Sequence, residues 1–331
     1  MTEPFFMTMQ CAGGPEVGSA IAPPVNPAGG WQAGGVLAID KPEGPTSFAV
    51  VNRIKKRLCL KKAGHCGTLD PFATGLLLVC INQATRISDQ LLDQDKVYRF
   101  GIRLGQETET LDKTGRITRT YDGLPPSERQ LNAVLESFRG VCLQKVPRYA
   151  AVRVEGRRLY ELSRKGVEVD RPERQVCIRR LELLSYRWPD ATLETWCSKG
   201  TYVRQLASDI GHLLGCGAFV SELRRLASGP FRIEQAVSFS EVESESEMNR
   251  WEQRLIPMND ALAHLPAVLV EDGTVLKRMQ DGQISREWEA AHRERFSGYG
   301  KPVRLLDKDD RLVALWWPFP ETPSQRRMRV F

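Results

Sequence analysis

The sequence predicts an α+β fold: a mixed, largely antiparallel sheet flanked by helices, followed by a small C-terminal β domain. Three observations carry that expectation. Strand-like and helical patterns follow one another through residues 35–230 without the regular βαβ repeat of a parallel sheet. An acidic run (Glu241, Glu243, Glu245, Glu247) and then Pro257 mark a boundary near 235–260. Beyond it lie short strand-like pieces, 303–306 and 312–317, joined by turns rich in Gly and Asp. At 331 residues, 41% of them hydrophobic and 27% charged, the chain has an ordinary globular composition and can bury two cores.

Residues 1–34 are rich in Gly, Pro and Ala, lack Lys and Arg, and read as a disordered extension. A strand follows at 35–41 and stops at Pro42. Ser47 is placed to cap a helix with Val51, Ile54 and Leu58 as its inner stripe. An apolar strand at 76–81, a short helix near 84–92 and a strand carrying Tyr98 come next. Residues 127–139 form an amphipathic helix with Leu131, Val134, Leu135 and Phe138 inward. Strands at 174–186 and 191–197 lead into a helix from about 202 to 214, striped by Val203, Leu206, Ile210 and Leu213. In the C-terminal part Trp316 and Trp317 read as packing residues. The tail arginines Arg326, Arg327 and Arg329 either touch phosphate or are simply solvated.

The eight cysteines are dispersed, without a Cys-x-x-Cys pair and without His at metal-ligand spacing, so no metal site is expected. Reduced thiols in a cytoplasmic protein are the simplest account. No apolar run approaches membrane-spanning length.

The stretch Gly64-His65-Cys66-Gly67-Thr68-Leu69-Asp70-Pro71-Phe72-Ala73-Thr74-Gly75-Leu76-Leu77 concentrates the chemistry. Pro71 biases Asp70 away from helical angles and so onto an extended or turning loop. A net charge of +6 is modest, but its distribution is not even. Between Glu43 and Asp70 there is no acid, while Arg53, Lys55, Lys56, Arg57, Lys61 and Lys62 all fall there. Such a cluster is either a solvated helix face or a set of phosphate contacts, and its place beside the Asp70 loop favours phosphate. Arg204 begins a helix, where a cation opposes the helix dipole, so a partner such as Asp70 is expected to hold it and to keep that carboxylate ionised.

Four blocks in order carry a resemblance. The Asp70 stretch is the first. Lys96-Val97-Tyr98 with the turn Leu104-Gly105-Gln106-Glu107-Thr108-Glu109-Thr110-Leu111-Asp112-Lys113-Thr114-Gly115 is the second. The third runs from Val146-Pro147-Arg148-Tyr149-Ala150-Ala151-Val152-Arg153 through Gly156, Arg158, Leu159 and Tyr160. The fourth is Cys197-Ser198-Lys199-Gly200-Thr201-Tyr202-Val203-Arg204, continuing to Leu223-Arg224-Arg225. Together they resemble the TruB-type tRNA pseudouridine synthases. Departures are Cys66 where Thr is common, Glu109 where Asp is usual, and Ala150 and Arg153 within a usual Tyr-Ser-Ala-x-Lys.

The resemblance implies a pseudouridine synthase fold at 35–255, with an RNA-gripping insertion at 146–170 and a PUA-like domain at 256–331. It implies an isomerase acting on the T-loop uridine of tRNA (position 55), with Asp70 as nucleophile, Arg204 as its electrostatic partner, and Tyr98 stacking on the flipped uracil and removing its C5 proton. Candidate RNA contacts are His65, filling the space of the extruded base, with Lys41, Arg53, Lys55, Lys56, Lys61, Lys62, Arg148, Tyr149, Arg153, Arg158 and Lys199. The reaction changes neither atom count nor oxidation state, so no cofactor or metal is expected. The expected partner is the tRNA T arm; the protein reads as a monomer with no obligate protein partner and no membrane contact. The competing class is a non-catalytic RNA-binding module or tRNA-folding chaperone using the same groove.

Overall fold

The structure, a computed structural model, describes residues 34–150, 152–154, 156–159, 162, 169–243, 253–320 and 327–331. The extension expected at 1–34 lies, apart from Gly34, outside them, as do Tyr160, Arg164, Lys165 and Arg326.

A ten-stranded mixed sheet forms the larger part of the molecule. Its strands are β1 (Gly35–Lys41), β2 (Ala63–His65), β3 (Thr74–Ile81), β4 (Lys96–Leu104), β5 (Gly140–Lys145), β6 (Glu173–Arg187), β7 (Asp190–Cys197), β8 (Ala218–Ser228), β9 (Phe231–Arg232) and β10 (Val237–Ser238). The order is β10-β1-β3-β8-β4-β7-β6-β5, with β2 on β3 and β9 on β8. Only β1–β10 and β3–β8 pair in parallel. The expected α+β, largely antiparallel sheet is therefore present.

Strands β1 and β3 are apolar without alternation because both their faces are covered. On one face Leu37, Ile39, Leu77 and Phe100 pack against the helices α1 (Ser47–Arg57), α2 (Glu128–Ser137) and α3 (Val203–Leu213) through Val50, Ile54, Leu131, Leu135, Leu206 and Ile210. On the other, Leu76, Leu78 and Cys80 meet Ile87, Leu91, Leu262, Leu315 and Trp317. Thr46, not Ser47, caps α1: its hydroxyl accepts from Ala49 N–H at 3.0 Å. Ser47 is the first helical residue and is buried, which frees its side chain for another task. Ser127 caps α2 in a reciprocal box with Gln130.

The C-terminal part holds a four-stranded sheet, β11 (Ala267–Leu269), β12 (Val303–Leu306), β13 (Leu312–Trp316) and β14 (Met328–Val330). It also holds two helices that the strand-only reading missed, α4 (Gly273–Gln280) and α5 (Arg286–Arg293), capped by Asp272 and Ser285. Both are eight residues long and amphipathic; α4 contributes Val275, Leu276 and Met279 and α5 contributes Trp288 to the C-terminal core. Trp316 is the centre of this core, edge-on to Trp288 at 5.3 Å and to Phe296 at 6.1 Å. The tail arginines are engaged within the protein: Arg327 pairs with Glu289 and Arg329 with Asp89. Among the described residues six cysteines carry free thiols.

The loop 66–73 enters β3 through Gly75, which has φ +100° and lies where β3 meets β8. A Cβ there would stand 2.3 Å from the Arg225 carbonyl oxygen and 2.8 Å from its nitrogen. Gly75→Ala combines a left-handed strain of about 1–3 kcal/mol with a backbone clash. Thermal denaturation is expected to show a lowered Tm, and an unchanged Tm would refute this account of the β3–β8 junction.

Candidate active site

Asp70 follows Leu69, whose backbone is clasped by the inward-turned Ser47: the Leu69 N–H donates to its Oγ at 2.8 Å and that hydroxyl donates to the Leu69 carbonyl at 3.0 Å. After Asp70 the chain is held by Lys41, whose ammonium donates to the carbonyls of Pro42 (2.8 Å), Pro71 (3.2 Å) and Ala73 (2.7 Å). The loop is thus gripped on both sides of the carboxylate.

Arg204, in the first turn of α3, meets that carboxylate in a forked pair, Nε to Oδ2 at 2.8 Å and an Nη to Oδ1 at 3.3 Å. Its other donors go to the carbonyls of Thr110 (3.0 Å) and Tyr149 (2.9 Å). A second carboxylate, Asp112, lies 3.8 Å from Arg204 Nε and is oriented by Thr110 and Thr114, which donate to its Oδ1. Arg204 is 4% exposed while a third of the Asp70 side chain remains accessible, so the cation is sealed in the wall and the anion faces the cleft. Burial pushes the Asp70 carboxyl above its usual range; Arg204 and Lys41 oppose this and Asp112 adds to it. Arg204 acts in the expected direction, favouring the ionised carboxylate, while desolvation is the larger influence.

Asp70, Tyr98, Tyr149, Lys199 and Arg204 line one cavity of about 370 Å³. Tyr98 is 9% exposed, and burial raises its phenol above the ordinary value. The Tyr149 hydroxyl donates to Glu109 at 2.9 Å. Lys199 sits at the rim, ion-paired with Asp93.

Other expected RNA contacts fall elsewhere. Lys41 is a correction: it is wholly buried, burial takes its ammonium down to about 8, and its three carbonyl partners make it a brace of the loop. His65 lies on β2, opposite Val79, and is not among the residues lining the cavity. Its Nδ1 is buried without a partner, and burial lowers its imidazole pKa, with Arg225 acting in the same direction. Arg53, Lys55 and Lys56 are exposed on α1, Lys61 and Lys62 on the turn after it, and Arg148 at the root of the insertion. Arg153 and Arg158 pair through their backbones in a short hairpin, and their side chains lie outside the described ones.

This geometry can be set beside known proteins. The family described as TruB family pseudouridylate synthase (N terminal domain) matches residues 55–203, and the tRNA pseudouridylate synthase B C-terminal domain matches 204–263. A relative from Syntrophobacter fumaroxidans named tRNA pseudouridine synthase B is 58% identical over 297 residues, 90% of this chain and 97% of the relative. The chain belongs to the TruB family. Another member of that name, from Chromohalobacter salexigens, is 44% identical over 75% of this chain and 80% of its own. Among solved structures, a Cbf5–Nop10–Gar1 complex contains a chain of TM-score 0.67 and 28% identity, matched over 91% of this chain and 84% of that one. An H/ACA RNP bound to a substrate RNA containing 2′-deoxyuridine gives TM-score 0.64 at 28% identity, with the same coverages.

Sequence reasoning passed over four residues that build this TruB-family site. Asp112 and Lys96 stood inside quoted blocks without a role. Lys96 is 6% exposed, lines the cavity, and donates to the carbonyls of Leu92 and Gln94; burial takes it down to about 8. Arg225, also in a quoted block, is 1% exposed. Ser47 carried a cap signal, and only the tertiary fold reveals that it faces Leu69.

Ser47→Ala leaves the buried Leu69 N–H without its acceptor, at a cost of about 1–3 kcal/mol. The expected result is a lower Tm together with a lower kcat, because the Asp70 loop loses its clasp. A variant with wild-type Tm and kcat would show that the clasp does not hold the loop.

Proposed function

We propose that this TruB-family chain is a tRNA pseudouridine synthase that isomerises the T-loop uridine at position 55. Asp70 is the nucleophile that detaches the base by breaking the C1′–N1 bond. The uracil then turns and is rejoined through C5. Tyr98 stacks on it and takes the C5 proton. Arg204 holds Asp70 against the cleft. The observation that supports this reading is the convergence of Asp70, Tyr98 and Arg204, from three distant segments, on one open cavity. The shared name of the relatives, tRNA pseudouridine synthase B, supports the substrate class.

The target base must leave its stack to reach Asp70, and His65 is assigned to fill the space it vacates. The exposed cations Arg53, Lys55, Lys56, Lys61 and Lys62 are assigned to backbone phosphates, as are Arg148, Arg153, Arg158 and Lys199, with Tyr149 at the root of the gripping insertion. The division into a catalytic part (35–255) and a PUA-like RNA-binding part (256–331), a monomeric state and a cytoplasmic site belong to the same proposal.

Tritium release from tRNA labelled at uridine C5 tests it. Asp70→Asn is expected to abolish release while tRNA affinity stays within a few-fold; equal loss of binding would make Asp70 structural. Only the carboxylate is nucleophilic, and burial raises its pKa. The ionised form is therefore lost as pH falls through a value above the usual carboxylate pKa of about 4, which places the acid limb of kcat there. An acid limb at or below the ordinary value would contradict the desolvated site.

Neutralising Lys55, Lys56 and Lys61 should weaken tRNA binding and flatten its salt dependence, each lost phosphate contact reducing the log–log slope by roughly 0.7–0.9. An unchanged slope would return these lysines to a merely solvated face.

A further inference from the structure

Arg225 is a buried cation without a counter-charge. It is 1% exposed, and no carboxylate among the described residues stands within ion-pairing distance of it. Its Nε donates to the Leu76 carbonyl at 2.7 Å and an Nη to the Gly67 carbonyl at 3.0 Å, so it is pinned to both ends of the catalytic loop. In the antiparallel pairing of β8 with β4 it stands directly opposite Tyr98. Opposed residues share a sheet face, and both line the cavity. The positive charge of the guanidinium lowers the Tyr98 phenol pKa, against the effect of burial.

Two carbonyls could be satisfied by a neutral donor. A permanent charge is costly to bury unless negative charge develops beside it. In the reaction proposed above, that place is the Tyr98 oxygen.

We infer that Arg225 is a positioning residue for Tyr98, holding the phenol oxygen in the cavity and stabilising the phenolate that accepts the C5 proton. The inference rests on the reading of Tyr98 as the base. The Tyr98 hydroxyl first loses its proton to solvent through the open cleft. The phenolate then takes the proton from C5, the C–H electron pair returns to the uracil ring, and the neutral phenol is restored. The groups facing the phenol are Arg225 across one strand pair, Cys197 on the neighbouring β7, Asp70 on the loop, and Lys96 two residues back on its own strand. Burial, Cys197 and Asp70 oppose ionisation, and Arg225 is the strongest influence in its favour.

The test uses the full chain with ¹³Cζ-labelled tyrosine, the Tyr98 signal being assigned by its absence in Tyr98→Phe. In Arg225→Gln the Tyr98 titration is expected to move up by at least about one pH unit, a tenfold loss of phenolate at a given pH. Arg225→Lys should recover most of that shift. The limb of tritium release that rises with pH should move with the titration, while the acid limb set by Asp70 stays in place. A folded Arg225→Gln variant whose Tyr98 titrates as in the wild type overturns the inference. If that variant does not fold, Arg225→Lys carries the test, and an unmoved titration with an unmoved limb overturns it. Wild-type tritium release by Tyr98→Phe would remove the base reading itself; the titration shift would then report an electrostatic contact without a catalytic consequence.

Discussion

The geometry of the cleft depends on one buried guanidinium. Arg204 collects the Asp70 carboxylate, the Thr110 carbonyl from the turn after β4, and the Tyr149 carbonyl from the root of the insertion. Those segments are far apart in sequence and none is regular structure at the point of contact. A planar fork with five donors can hold three acceptors at fixed angles, which an ammonium cannot. Because Arg204 is itself sealed in the wall, losing it would leave both Asp70 and Asp112 without their shared cation. The same interaction therefore assembles the site and aims the carboxylate.

Around that pair the interior is unusually rich in cations. Lys41, Lys96, Arg204 and Arg225 are all below a tenth exposed, against Asp70 and Asp112 as the nearby carboxylates. Their mutual repulsion and desolvation are visible in the lowered ammonium values of Lys41 and Lys96, each about 8. Three of the four are anchored mainly on backbone carbonyls, so the charge is held in place without being neutralised. A positive floor beneath an open cavity suits a ligand that brings phosphates. The exposed cations of α1 extend the same sign outward along the surface.

Much of this was legible before the fold was seen. The apolar run of β3 and the apolar stripes of α2 and α3 are local patterns, and local physics decides them. Asp70, Tyr98 and Arg204 could be picked out because each sits in a block that resembles the family, and the fold brings all three to one cavity. What escaped shares one cause: the orientation of a polar side chain is set by tertiary packing. Lys41 reads from sequence as a surface base beside a turn, and only the approach of the Pro71–Ala73 backbone turns it inward. Ser47 and Arg225 have the same character. The helices α4 and α5 escaped because each is only eight residues long, too short for a periodic pattern to stand out.

The positions where the chain departs from the family pattern show how the frame tolerates change. Glu109, in place of the usual Asp, uses its longer reach to accept the Tyr149 hydroxyl, tying the turn after β4 to the segment whose carbonyl holds Arg204. Ala150, in place of a hydroxyl, is buried with Val146 and Leu159 in a small core at the root of the insertion. Cys66, in place of Thr, is fully buried with its sulfur 3.2 Å from that of Cys80, a contact that fills space behind the loop. Glu109 and Cys66 support the backbone around the site, whereas Ala150 both packs in that small core and lines the cavity. Departures fall both on the lining of the cavity, at Ala150, and behind it, at Cys66, while Asp70, Tyr98 and Arg204 follow the pattern.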